Sequence, residues 1–163
     1  MTKQCFFVSP IGNSDSDIRK QSDKVLKYLL KPVLDKFDIK IIRADEICSI
    51  DKIDENIFKH LHNDELAIID ITGNNTNVFL ELGYRIALDK HIENCPYILI
   101  REKTNDPIPF DISTIPVNDY EFDIESVESF KAKLENIINS VDFDSAKAVK
   151  LVNAKGERLK IKF

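Results

Sequence analysis

Among the residues able to do chemistry, Glu81 has the most informative setting. It lies in "TGNNTNVFLELGYRIAL" (residues 72–88), in the opening turns of an otherwise mostly apolar helix and just after a loop of glycine and asparagine. A carboxylate there gains at most about 1 kcal/mol from the positive end of the helix dipole. That accounts for a glutamate near a helix start, but not for the polar loops expected to converge on it. Held in a cleft with apolar walls, a carboxyl group has its pKa raised, and its anion can stabilise an oxocarbenium ion as a glycosidic bond breaks. Arg85 follows four residues later, so an i to i+4 ion pair is the competing, purely structural use of Glu81. If Asn77 caps the helix, Glu81 sits about one turn inside, on the same side as Asn77, with Phe79, Leu82, Ile86 and Ala87 packing around it. Gly83 and Ala87, four apart, are expected to let the helix approach its sheet closely.

The elements that must position this helix follow from hydrophobic period. "CFFVS" (5–9) is a short apolar run ending at Pro10 and Gly12, as a buried strand does. From Ser14 or Ser16 the spacing becomes helical through Ile18, Val25, Leu26, Leu29, Leu30, Val33 and Leu34, with Pro32 expected to kink or break the helix near its end. "IKIIRA" (39–44) is a second strand, Ile53, Ile57 and Leu61 mark a short helix, and "LAIIDIT" (66–72) is a third strand, apolar until its aspartate. After the Glu81 helix come "PYILIRE" (96–102), a Pro-rich passage (107–116), a short extended "VNDYEF" and a last helix over roughly 125–139. Strands alternating with helices require right-handed crossovers and a parallel sheet covered on both faces. The predicted fold is therefore a flavodoxin-like, doubly wound α/β domain of about five strands over residues 1–140. Residues 141–163 form a basic extension in which "NAKGE" separates two alternating apolar runs, the pattern of a small hairpin packed on the same domain.

In an open parallel sheet, ligands bind outside the carboxyl ends of the strands. After the first strand come Ser9, Pro10, Ile11 and Gly12, leading to a helix N-terminus whose backbone N–H groups could hold a phosphate; the structural alternative is a turn with an N-cap serine. After the second come Arg43-Ala44-Asp45-Glu46, where Arg43 could meet an anionic ligand group or simply form a solvated ion pair. After the third come Asp70, Thr72, Gly73, Asn74, Asn75 and Asn77, and then Glu81.

Composition bounds the partners. The 163 residues, 43% hydrophobic, suit one domain with a real core, and a net charge of −5 gives no electrostatic footprint for nucleic acid or an anionic membrane. Cys5, Cys48 and Cys95 lack metal or disulfide spacing and read as reduced thiols of a cytoplasmic protein. No signal peptide is recognisable at the start, and no apolar run approaches the roughly 20 residues that span a bilayer. His60, His62 and His91 have no partner spacing that would make them ligands, so no metal is expected.

"CFFVSPIG", then Arg19, Ser22 and Asp23, then "RADEI" and "AIIDITGNNTNVFLELGYRIAL", together resemble the bacterial TIR-like and nucleoside 2-deoxyribosyltransferase-like superfamily. The resemblance spans about residues 4–102 and is densest from Asp70 to Leu88. It implies a flavodoxin-like fold and an enzyme acting on an N-glycosidic bond, with Glu81 as nucleophile or stabiliser of the ribosyl cation. Ser9, Pro10, Ile11 and Gly12 would lie along the ligand, and Asp70 and Asn77 near the sugar. NAD would be a substrate rather than a cofactor, hydrolysed or cyclised, in a role such as antiphage defence. The alternatives are a nucleoside or nucleotide N-glycosidase or deoxyribosyltransferase, and a nonenzymatic domain that senses a nucleotide or docks a partner. The chain has no tryptophan, so stacking on a base would fall to Phe7, Phe79 or Tyr84. Sites of TIR-type enzymes are commonly built across subunits, which implies a homo-oligomer or a partner protein.

Overall fold

The computed structural model describes residues 2–47, 53–92 and 95–143. The expected C-terminal hairpin, at 144–163, and Cys48 lie outside the described residues.

Five parallel strands stand in the order β2-β1-β3-β4-β5: β1 Lys3–Val8, β2 Ile39–Arg43, β3 Leu66–Asp70, β4 Tyr97–Glu102 and β5 Val117–Tyr120. This is the flavodoxin-like arrangement that the alternation of periods predicts. The chain leaves β1 outward to β2 and returns through β3 toward β5, so adjacent connections part at β1 and β3 and open a crevice there. The register pairs Phe7 with both Arg43 and Ile68 and pairs Asp70 with Ile100, which brings the strand ends to one edge.

The pleat of β1 sorts its side chains onto two cores. Cys5 and Phe7 face one side, packed with Val25, Leu29, Leu30 and Val33 and with Phe130, Leu134 and Ile138 of the last helix. Phe6 and Val8 face the other, packed with Leu61, Val78 and Leu82. The helices are α1 Asp17–Lys24, α2 Lys31–Leu34, α3 Ile53–Asn63, α4 Thr76–Ile92 and α5 Ile124–Asn139.

Ser16 caps α1, its Oγ accepting from the Arg19 N–H at 3.2 Å. Pro32 does not break the segment that follows. Residues Val25–Leu30 widen into a π-helical stretch, in which the Lys31 N–H reaches back to Leu26, and the helix then resumes as α2. The ring needs no N–H partner, and the wider turn lets the chain continue through it.

Arg85 ties the second core together. It is 0% exposed, and its guanidinium donates to three backbone carbonyls: Leu61, Asp64 at 3.0 Å and Pro96 at 3.0 Å. These belong to the end of α3, the turn into β3 and the approach to β4, so one side chain fixes α4 against all three. Among the described residues, no helix is long and apolar enough to cross a membrane.

Candidate active site

The loop before α4 turns sharply at Gly73 and Asn74, whose φ angles are +71° and +52°, values that glycine and asparagine tolerate best. The helix is then capped by Asn75, not Asn77: Asn75 Oδ1 accepts from the Asn77 N–H at 3.0 Å and the Val78 N–H at 3.3 Å. Two asparagines at adjacent turn positions are indistinguishable by type, and the backbone bend at Gly73 decides which reaches the orphan N–H groups. Asn77 is thereby left exposed on the first turn. Glu81 lies four residues on, on the same face, while Val78 and Leu82, one position on from each, are buried. Gly83 and Ala87 are exposed, and a Cβ on Gly83 would meet open space. The close approach to the sheet expected of that pair is made by Val78, Leu82 and Arg85.

Asn77 and Glu81 form one wall of a cleft of about 300 Å³. Ser9 and Ile11 enter from the end of β1, Ala44 and Asp45 from the turn after β2, and Phe7 from within β1. Burial alone pushes the Glu81 carboxyl up to about 7. No hydrogen bond or ion pair reaches it from the described residues, and Arg85, its alternative partner, is turned into the core. A half-buried, unpartnered carboxyl group with access to a cleft is costly to keep, and such groups concentrate at functional sites.

Arg43 is placed behind the cleft rather than in it. It is 3% exposed, and its guanidinium is shared among Ser22 Oγ at 2.7 Å, Asp23 at 2.6 Å and Asp45. Arg19 bridges the same two carboxylates. Two arginines thus neutralise Asp45, which lines the cleft, and hold Asp23 below the ordinary carboxylate range. Ser9 Oγ joins the network through Ser22 Oγ at 2.6 Å.

A second hollow of about 160 Å³ adjoins the first. Asn75 lines both, and Pro10, Ser22, Asp70 and Thr72 line the second. Asp70 is 2% exposed; one oxygen accepts from the Thr72 N–H and hydroxyl, the other from Tyr120 at 2.9 Å. Burial outweighs these bonds and raises its pKa to about 6.

Of the residues singled out in sequence, Ser9, Ile11, Asn77 and Glu81 meet in the Glu81 cleft, and Pro10 and Asp70 in the adjoining hollow. Gly12 lines neither. Its lack of a side chain serves the α1 cap, since a Cβ there would stand 2.3 Å from Ser16 Oγ. Phe7 lines the cleft, whereas Tyr84 packs edge-on against Phe58 at 4.9 Å. Ile57 and Ser22 are parts of the site that strand-end reasoning passes over, and Asn75, which it names, proves to be the cap of α4 and a lining residue of both hollows. Ser22 and Asp23 are signalled in sequence by their place in the Arg19-x-x-Ser22-Asp23 motif. The sequence matches no family model and no curated protein.

Proposed function

We propose that the chain cleaves the N-glycosidic bond of a nucleotide or nucleoside in the Glu81 cleft. The observation that carries this reading is the half-buried Glu81 carboxyl, without a partner among the described residues, at the carboxyl edge of the sheet. In the reaction, the bond from the anomeric carbon to the base nitrogen breaks and its electron pair leaves with the base. The Glu81 carboxylate stabilises the positive charge left on the sugar, and water, or a nucleophilic atom of an acceptor, adds to that carbon; the proton that water loses goes to solvent, from which a base that leaves as an anion takes one up. With NAD the leaving group is nicotinamide, whose ring nitrogen is already cationic, so departure requires no acid. A cationic ligand would also favour the charged form of Glu81 over the neutral one. NAD hydrolysis or cyclisation, as in antiphage defence, is the form of this activity that the superfamily resemblance supports.

A second form is favoured by the lining itself. Among the described residues around the cleft, Asp45 and Glu81 are the charged groups, and Arg19 and Arg43 are engaged by carboxylates. Such a wall suits a nucleoside without phosphates. The nonenzymatic reading would have gained from a Glu81–Arg85 pair, but Arg85 is held by backbone carbonyls instead.

Purified protein, at high concentration so that any required assembly forms, is to be incubated with NAD, nicotinamide mononucleotide and a set of deoxynucleosides while free base is measured. Release of nicotinamide, or of a nucleobase, supports the first or second form respectively. Binding without release under every condition would establish the nonenzymatic one.

A further inference from the structure

The interlocked Arg19, Ser22, Asp23, Arg43 and Asp45 are more elaborate than a surface ion pair, and one member contacts the cleft through a chain of hydroxyls. Proton accounting along that chain fixes its first step and leaves two arrangements for its second. Arg43 can only donate, so its Nη1, 2.7 Å from Ser22 Oγ, makes Ser22 an acceptor there. The remaining contact of Ser22 Oγ is Ser9 Oγ at 2.6 Å. Either hydroxyl can donate in that contact: if Ser9 does, the Ser22 proton is left to the hollow that Ser22 lines, and if Ser22 does, the Ser9 proton is left to the Glu81 cleft that Ser9 lines. Of the two arrangements, the one in which Ser22 donates to Ser9 carries the influence of the Arg43 charge toward the cleft. The Ser9 proton must then point elsewhere, and Ser9 lines the Glu81 cleft.

We infer that Arg43 is a positioning residue which, acting through Ser22, orients the Ser9 hydroxyl to donate a hydrogen bond into the Glu81 cleft, to an acceptor atom of the departing base. The inference rests on the proposed glycosidic cleavage for the identity of the ligand, but not for the direction of the hydroxyls. Successive hydrogen bonds polarise one another, so the guanidinium charge strengthens Ser9 as a donor without entering the cleft. The electron pair that leaves with the base increases negative charge there, and a donor already aimed at it stabilises the transition state more than the ground state. No proton is transferred: Ser9 keeps its hydrogen throughout. The surrounding carboxylates serve the same end, Asp23 and Asp45 fixing the plane of Arg43 and Arg19 fixing them in turn.

The orientation is tested without any substrate by neutron diffraction from deuterated crystals. The deuteron of Ser22 should lie on the line to Ser9 Oγ, and that of Ser9 should point into the cleft; a Ser9 deuteron directed at Ser22 would overturn the inference. The consequence is tested by base release from the best member of the substrate set. Ser9→Ala and Ser22→Ala should each lower kcat about 10- to 100-fold with a much smaller change in KM, as expected for loss of one preorganised donor. The double variant should be no slower than Ser9→Ala, and Ser22→Thr, which retains the hydroxyl, should recover most of the rate. Losses that multiply in the double variant, in proteins whose unfolding midpoints show them folded, would mean that Ser22 acts independently of Ser9 and would overturn the relay. If wild type releases no base, the proposed reaction fails and the neutron map still decides the orientation.

Discussion

Removing the charge from Glu81 should stabilise the protein, and only above acidic pH. Burial raises this carboxyl from an ordinary 4.5 to about 7, so the folded state binds its proton more tightly than the unfolded state does. The contribution of such a group to stability is fully present below pH 4.5 and is lost as pH rises through about 7, above which the folded protein carries a half-buried anion with no partner among the described residues. At about 1.36 kcal/mol per pH unit, the interval from 4.5 to about 7 sets an upper bound of about 3 kcal/mol. The cleft admits water to part of the group, which brings the expected value to about 1–2 kcal/mol. Glu81→Gln has nearly the same shape and no charge. In urea titrations it should match wild type near pH 4, become progressively more stable than wild type between pH 4.5 and 7, and hold a constant lead above pH 8. Asp70, raised to about 6, titrates in the same interval but is common to both proteins and cancels in the difference. A pH-independent gap between the two curves would refute the reasoning, because it would place Glu81 in water, and a lead for wild type that grows with pH would place it against a cation.

The same ionisation should govern the reaction: kcat/KM for a substrate with a cationic leaving group should rise with pH through about 7 and level above 8, and a rate that falls over this range would assign Glu81 the role of acid. Arg85→Leu should cost about 3 kcal/mol or more in urea unfolding, since three buried carbonyls lose a charged donor; an effect below 1 kcal/mol would mean that water replaces it. Gly12→Ala should displace Ser16 from the α1 cap and cost about 1–2 kcal/mol, and a midpoint unchanged from wild type would contradict the close contact.

Hydrophobic period was sufficient to locate the strands because the central runs are buried on both faces, the edge strands β2 and β5 keep an alternating buried position, and all are bounded by polar or Pro/Gly turns: "LAIID" could hardly be anything but a central strand. The resulting order led directly to the edge where Ser9, Asn77 and Glu81 converge. What stayed illegible depends on contacts distant in sequence. Arg43 reads as a strand-end cation for a ligand anion or for a solvated ion pair, but Asp23, 20 residues earlier, and Ser22 enclose it. Arg85 was equally suited by spacing to pair with Glu81, and its actual partners are backbone carbonyls, which no side-chain pattern records. The Asp70–Tyr120 bond joins residues 50 apart and has no local signal. Pro32 misled for a different reason: a proline forbids one hydrogen bond, but the cost can be absorbed by widening the helix instead of ending it.

The central claim is that the Glu81 carboxylate breaks a glycosidic bond, and it is tested most directly by measuring free nicotinamide or nucleobase released by wild type and by Glu81→Gln side by side. Both proteins should be shown to be folded and should be assayed at high concentration near pH 8, where the carboxyl is ionised. Release by wild type and a loss of at least about 100-fold in the variant, with ligand binding largely retained, is the predicted result; equal rates in the two proteins would contradict it.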